Sequence, residues 1–164
     1  METFAMQLSK RQFLGFSGLA AMGLTFGCGS DATAKAYAVT YSDAEWKKRL
    51  SPAAYRVLRQ ESTETPYTSP LNAEKRKGTF VCAGCNQKLF SSSTKFESNT
   101  GWPSFWQPLQ GGVGTKTDWK IGSPRTEVHC ARCGGHLGHV FDDGPKPTGK
   151  RYCMNGVAMK FVAA

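Results

Sequence analysis

Thr126-Glu127-Val128-His129-Cys130-Ala131-Arg132-Cys133-Gly134-Gly135-His136-Leu137-Gly138-His139-Val140-Phe141 sets two short β-type runs, 126–130 and 137–141, on either side of a Cys-x-x-Cys turn. Glycines allow the tight turn around sulfur, and β-branched and aromatic residues recur in the two runs, as in short strands. Similar runs occur at 79–82, 88–90, 113–121, 152–154 and 157–162, separated by Gly, Pro, Asn or Asp. Helix signals are confined to the region before Thr65-Pro66. Ser42 followed by Glu45 fits a capping box, with Trp46 and Leu50 four apart on one face. Ser51-Pro52 restarts a helix, as N-cap and first helical residue, with Tyr55, Val57 and Leu58 on its buried side. The pattern predicts a mainly β, antiparallel domain with an N-terminal helical hairpin.

Composition agrees. The chain of 164 residues suffices for one ordinary domain. Its 18 glycines and 8 prolines exceed the usual combined ~12% and favour short strands and loops over a helical bundle. Ten phenylalanines, four tryptophans and five tyrosines, spread as far as Phe161, exclude a disordered chain. No apolar run clearly reaches the ~20 residues of a membrane span, which excludes a polytopic membrane protein.

Residues 1–38 are expected to be an export signal. Lys10 and Arg11 precede a mostly apolar stretch, 13–27, and the sites Ala32-Thr33-Ala34 and Ala36-Tyr37-Ala38 follow. Ser9-Lys10-Arg11-Gln12-Phe13-Leu14 resembles the twin-arginine motif, with Lys10 in place of the first arginine. The expectation is a periplasmic protein whose mature domain, 39–164, does not insert in the membrane; the alternative is an uncleaved N-terminal anchor. Cys28 sits four residues after Leu24, one more than a lipobox usually has, which disfavours lipidation. Cleavage would remove Lys10, Arg11, Lys35, Glu2 and Asp31 and leave +8 of the chain's +9 in the folded domain. These charges are scattered, fitting a solvated surface better than a nucleic-acid footprint.

Cysteine spacing carries the chemistry. Cys82-x-x-Cys85 and Cys130-x-x-Cys133 match tetrahedral zinc, because each two-residue spacer lets two sulfurs face one point. The 44 residues between Cys85 and Cys130 exceed a zinc-finger spacing, so the site is expected to staple two sheet segments. Redox-active Cys-x-x-Cys motifs or two disulfides compete with this reading, since the protein has the marks of export. Cys153 remains as an odd thiol. In a strand, alternation places Arg151, Cys153 and Asn155 on one face, where a core would not welcome the Arg and Asn, and a neighbouring guanidinium favours thiolate. His136 and His139, three apart, are candidate hydrogen-bond donors or proton shuttles, whereas His129 beside Cys130 reads as packing or surface. Gly101-Trp102-Pro103-Ser104-Phe105-Trp106 is either core or the wall of an apolar pocket.

Taken together, Val57-Leu58-Arg59-Gln60 with Thr63-Glu64, Cys82-Ala83-Gly84-Cys85, Lys95-Phe96 with 101–105, Arg125-Thr126-Glu127-Val128, Cys130-Ala131-Arg132-Cys133, the HLGHVFDD of 136–143, the GPKPTG of 144–149 and Arg151-Tyr152-Cys153-Met154-Asn155 closely resemble the B-type methionine-R-sulfoxide reductases. The resemblance runs from about Tyr41 to Phe161 in one order. It implies two small antiparallel sheets and one structural zinc per chain held by Cys82, Cys85, Cys130 and Cys133. It implies Cys153 as nucleophile, passing through a sulfenic acid, with His136, His139, Arg151 and Asn155 around it. Trp102, together with Phe141, would receive the substrate's S-methyl group. The substrate implied is methionine-R-sulfoxide, free or in oxidised proteins. One departure matters: Thr100 stands where members with a recycling cysteine carry it, just before Gly-Trp-Pro-Ser-Phe. The expected enzyme is therefore a one-cysteine, monomeric form regenerated by a thioredoxin-like protein or small thiol. Two rivals explain less. A zinc-ribbon nucleic-acid module leaves Arg151-Cys153-Asn155 and the histidines without purpose, and a Cys153–His139 hydrolase lacks an acyl-transfer motif.

Overall fold

The structure is a computed structural model, and it describes residues 37–164; the expected signal and Cys28 lie outside the described residues. Two helices open it. Ser42 caps α1 (Asp43–Arg49) by a reciprocal capping box with Glu45, and Ser51 caps α2 (Pro52–Gln60) by accepting from Ala54 N at 3.2 Å. Trp46 and Leu50 from the first helix and Tyr55, Val57 and Leu58 from the second are buried, as the spacing predicts. The guanidinium of Arg59 stacks 4.6 Å over the Trp46 ring and donates to the carbonyl of Cys133 at 3.1 Å, so the hairpin is seated on the second knuckle.

The rest is β. A three-stranded sheet has β1 (Gly78–Cys82) between β2 (Lys88–Ser91) and β9 (Met159–Ala163). A six-stranded sheet runs β3 (Lys95–Phe96), β4 (Ser104–Phe105), β8 (Arg151–Met154), β7 (His136–Phe141), β6 (Arg125–Cys130) and β5 (Val113–Asp118) in that spatial order. Every pairing is antiparallel. Phe80 and Phe90 of the smaller sheet meet Phe105 of the larger one, Phe90 stacked at 4.3 Å and Phe80 edge-on at 4.9 Å. Val128, Leu137 and Met154, all fully buried, complete the core. Among the described residues no helix is long and apolar enough to cross a membrane.

Two expected strands are corrected. The run 113–121 ends at Asp118, where the chain turns through Trp119 and Gly122 (φ 79°). The run 157–162 begins as a 3-10 turn, Gly156–Ala158, because Glu64 captures two of its backbone amides, and extends only from Met159. Strands β3 and β4 have two residues each, too few to show any alternation in sequence.

Register sets the working face. Ser104 opposes Cys153, Cys153 opposes His139, His139 opposes Glu127, and Glu127 opposes Lys116. Directly opposed residues share a face, so five strands present one polar row. The neighbouring row, Phe105–Tyr152–Val140–Thr126, faces the other way and is apolar apart from Thr126. Gly138 sits where β7 presses on β8: a Cβ there would lie 2.1 Å from the Cys153 carbonyl oxygen. Gly138→Ala is therefore expected to force the two strands apart. It should destabilise the domain by at least about 2 kcal/mol in denaturant titration, with activity lost in the remaining folded fraction.

Candidate active site and metal centre

Strand alternation brings Cys153 and His139 side by side, and a cavity of about 140 Å³ opens over them. Thr63, Trp102, Arg125, Gly138, His139, Phe141, Cys153 and Asn155 line it. Trp102 is fixed by its indole N–H donating to the Glu64 carbonyl at 3.1 Å. Phe141 lies under the Arg151 guanidinium, 4.5 Å from ring centroid to Cζ. These two rings make an apolar wall opposite a sulfur and an imidazole.

The remaining sequence-predicted residues stand one layer back or are tied down. Arg151 is clamped by both oxygens of Asp143, each at 2.8 Å, and its charge acts on Cys153. Asn155 donates through Nδ2 to the Leu137 carbonyl at 3.0 Å and accepts from the Glu64 N–H at 2.8 Å, so its carboxamide holds main chain in place. His136 lies outside the Cys153 cavity. It is buried, its Nδ1 2.8 Å from Glu127 Oε1, and its ring packs edge-on to His139 at 5.4 Å. Burial pushes the His136 imidazole down to about 4, so it is neutral near pH 7. Glu127, equally buried, has Lys116 Nζ 2.9 Å from its second oxygen.

Burial reverses one expectation. The Cys153 thiol lies above its usual range because desolvation outweighs the hydrogen bond from Thr100 and the Arg151 charge, which pull the other way. Burial likewise lowers His139, against the opposing hydrogen bond to Asp118. The pair at neutral pH is thus thiol and neutral imidazole, with the proton still on sulfur. Thr100 Oγ1 stands 3.8 Å from the Cys153 sulfur.

Sequence reasoning assigned no role in the site to Arg125, Asp118, Glu127 or Thr63. Asp118 and Arg125 form an opposed pair at the mouth of the β5–β6 hairpin, Nη2 to Oδ2 at 2.6 Å. Opposite charges flanking a Gly-Ser-Pro turn were the available signal. The 113–121 run hid it by carrying the strand past Asp118.

Residues 50–163 match the SelR domain family. The chain belongs to the B-type methionine sulfoxide reductases. It is 56% identical over 126 residues to peptide methionine sulfoxide reductase MsrB of Leptospira interrogans, covering 76% of this chain and 96% of that protein. It is 55% identical over 125 residues to the peptide methionine sulfoxide reductase MsrB of Methanosarcina barkeri, covering 76% of this chain and 88% of that protein. With the chloroplastic B1 enzyme of Arabidopsis thaliana it shares 54% over 123 residues, 74% of this chain and 61% of that one. The reductase accordingly reduces methionine-R-sulfoxide, including that in oxidised proteins, to methionine.

The reductase's four knuckle cysteines converge. Their sulfurs lie within 4.8 Å of one another, Cys82 to Cys133 at 3.8 Å and Cys85 to Cys130 at 3.5 Å. A zinc tetrahedron with ~2.3 Å bonds places sulfurs ~3.8 Å apart, so the donor set and spacing fit a structural zinc and not the ~2.05 Å of a disulfide. All four are free thiols, and the rival disulfide reading falls. The first knuckle links β1 to β2 and the second links β6 to β7, so the metal joins the two sheets, as the long spacing predicts. Four protein ligands close the shell, leaving the metal no open position for chemistry. Metal analysis should return one zinc per chain. Chelation or Cys130→Ser should collapse the thermal transition, since structural zinc contributes roughly 10 kcal/mol or more to such folds.

Proposed function

We propose that this reductase works through Cys153 as nucleophile and a sulfenic acid intermediate, and that an external thiol regenerates it. The pairing of Cys153 with His139 beneath an apolar wall carries the reading. The S-methyl group enters against Trp102 and Phe141, which aims the sulfoxide sulfur at Cys153 and its oxygen at the polar side. A sulfoxide sulfur yields to a nucleophile only as its oxygen gains a proton. The thiol proton passes by way of the His139 imidazole to that oxygen while the Cys153 sulfur attacks. Oxygen then transfers: thiol plus sulfoxide becomes cysteine sulfenic acid plus thioether, two electrons moving from Cys153 to the methionine sulfur. The buried thiol withholds its charge until a substrate with a basic oxygen arrives. His136 and Glu127 support the imidazole from behind, and Arg151 steadies the developing thiolate.

Regeneration falls to an outside reductant. Among the described residues every cysteine except Cys153 belongs to the zinc cluster. Threonine at position 100 is near enough to touch the Cys153 sulfur but has none of its own to offer. A first thiol condenses with the sulfenic acid, releasing water and leaving a mixed disulfide; a second thiol frees Cys153. A thioredoxin-like protein or small thiol suits this role, and the protein acts as a monomer. Export to the periplasm as residues 39–164 rests on the Lys10-Arg11 stretch and its Ala-x-Ala sites, and N-terminal sequencing of the mature form tests it.

With reductant omitted, the chain should release about one equivalent of methionine from the R sulfoxide and none from the S epimer. Cys153→Ser should release none, and His139→Gln should slow this single turnover by roughly 100-fold or more while substrate affinity changes little. A wild-type rate in either variant overturns the assignment. Thr100→Cys should convert the oxidised enzyme to an intramolecular disulfide with Cys153, seen as a loss of 2 Da relative to the dithiol by mass spectrometry.

A further inference from the structure

Asp118 closes β5 and turns its carboxylate onto the imidazole that handles the proton. Its Oδ2 is 2.8 Å from His139 Nε2, with the Asp118 and His139 side chains 10% and 12% exposed. Three further constraints fix it. Its Oδ1 accepts the Lys120 backbone N–H at 2.9 Å, and Arg125 Nη2 reaches Oδ2 at 2.6 Å. The turn bearing Lys120 is itself tied down, since the Lys120 ammonium pairs with Glu61 at the end of α2. A side chain held from so many sides cannot swing away from the ring.

The geometry points to Asp118 as the positioning residue of the sulfoxide-reducing step: it locks His139 in the Nε2–H tautomer, so that Nδ1 is the atom left to take the Cys153 proton and deliver it to the substrate oxygen. This rests on the proposed role of His139 as proton carrier. Asp118 itself does not line the Cys153 cavity and acts only through the ring. Its donors, the Lys120 amide first and then His139 and Arg125, hold its carboxyl well below the usual carboxylate range. It is therefore an acceptor at every working pH, and only a protonated Nε2 can face it. The other charged or titratable groups about His139 are Arg125 from β6, Glu127 opposite it on the same strand, His136 on its own strand and Cys153 on β8. Arg125 and His136 disfavour the imidazolium, and Asp118 supplies the counterion that makes its transient formation affordable in a desolvated site.

The test compares the zinc-loaded wild type with Asp118→Asn, His139→Gln and the double variant, each in reductant-free single turnovers from pH 5 to 9. Asp118→Asn is expected to keep zinc content and substrate affinity within about twofold. Its methionine-forming rate should fall roughly 10- to 100-fold, part of the ~10²–10⁴ that a positioned proton carrier supplies. Its acid limb should move to lower pH, because the lost carboxylate lowers the imidazolium's pKa and the neutral, proton-accepting ring persists further into acid. Adding the substitution to His139→Gln should cost nothing further. A wild-type rate and profile in Asp118→Asn, with His139→Gln slow, overturns the positioning role alone; a wild-type rate in His139→Gln overturns the reading beneath it. Should Asp118→Asn fail to fold, the wild-type tautomer decides: nitrogen-15 NMR showing Nε2–H supports the assignment, and Nδ1–H overturns it.

Discussion

Strict facing of partners in an antiparallel sheet is the constraint from which this active site follows. Cys153 and His139 are fourteen positions apart in sequence, yet opposed residues of adjacent strands meet at ~5 Å between Cβ atoms without any loop having to place them. Because the period is two, a slip of one residue between β7 and β8 would turn the thiol into the core and bring Tyr152 out in its place. Gly138, too close to the Cys153 carbonyl to tolerate a Cβ, pins that register from within. Farther along the row the same rule delivers Glu127 to His139 and Lys116 to Glu127, so polar side chains arrive with partners already facing them.

Polar groups in such a row must be reconciled with burial. Glu127 and His136 are each 3% exposed at the side chain and satisfy one another, while Lys116 brings the neutralising charge from the rim. The outcome is a cavity with an apolar wall of Trp102 and Phe141, backed by a paired ionic layer. The cavity therefore presents a protonated Cys153 sulfur, with the Arg151 charge beside it. Such an arrangement keeps the thiol protonated at rest, and a protonated thiol is slow to react with indiscriminate oxidants.

Much of the fold was legible because its signals are local. Ser42–Glu45 and Ser51-Pro52 declare helix starts by backbone hydrogen bonding within one turn, and the cysteine knuckles declare a metal by sulfur geometry. Alternation within 151–155 was enough to gather Arg151, Cys153 and Asn155, since both neighbours, Tyr152 and Met154, are core residues. Three things escaped. Strands of two residues carry no period. The net effect on the Cys153 proton depends on how burial weighs against a guanidinium, which no spacing encodes. Asp118 was hidden because its meaning arises only across a hairpin and a neighbouring strand. His136 and His139 looked equivalent at three residues apart, but a bulge between Val128 and His129 and their different burial give one the cavity and the other the layer behind it.

Glu64 belongs to no helix or strand, yet it is joined to three parts of the molecule at once. Its carboxylate receives the amides of Gly156 and Val157 at 2.5 and 3.0 Å, its own N–H goes to Asn155, and its carbonyl holds the Trp102 indole. A connector that looks like slack in a secondary-structure diagram is thus a keystone. Its amide hydrogens should be as reluctant to exchange with solvent as those of the central strands. Grafting this linker between homologous chains would succeed only if its tryptophan and asparagine travelled with it.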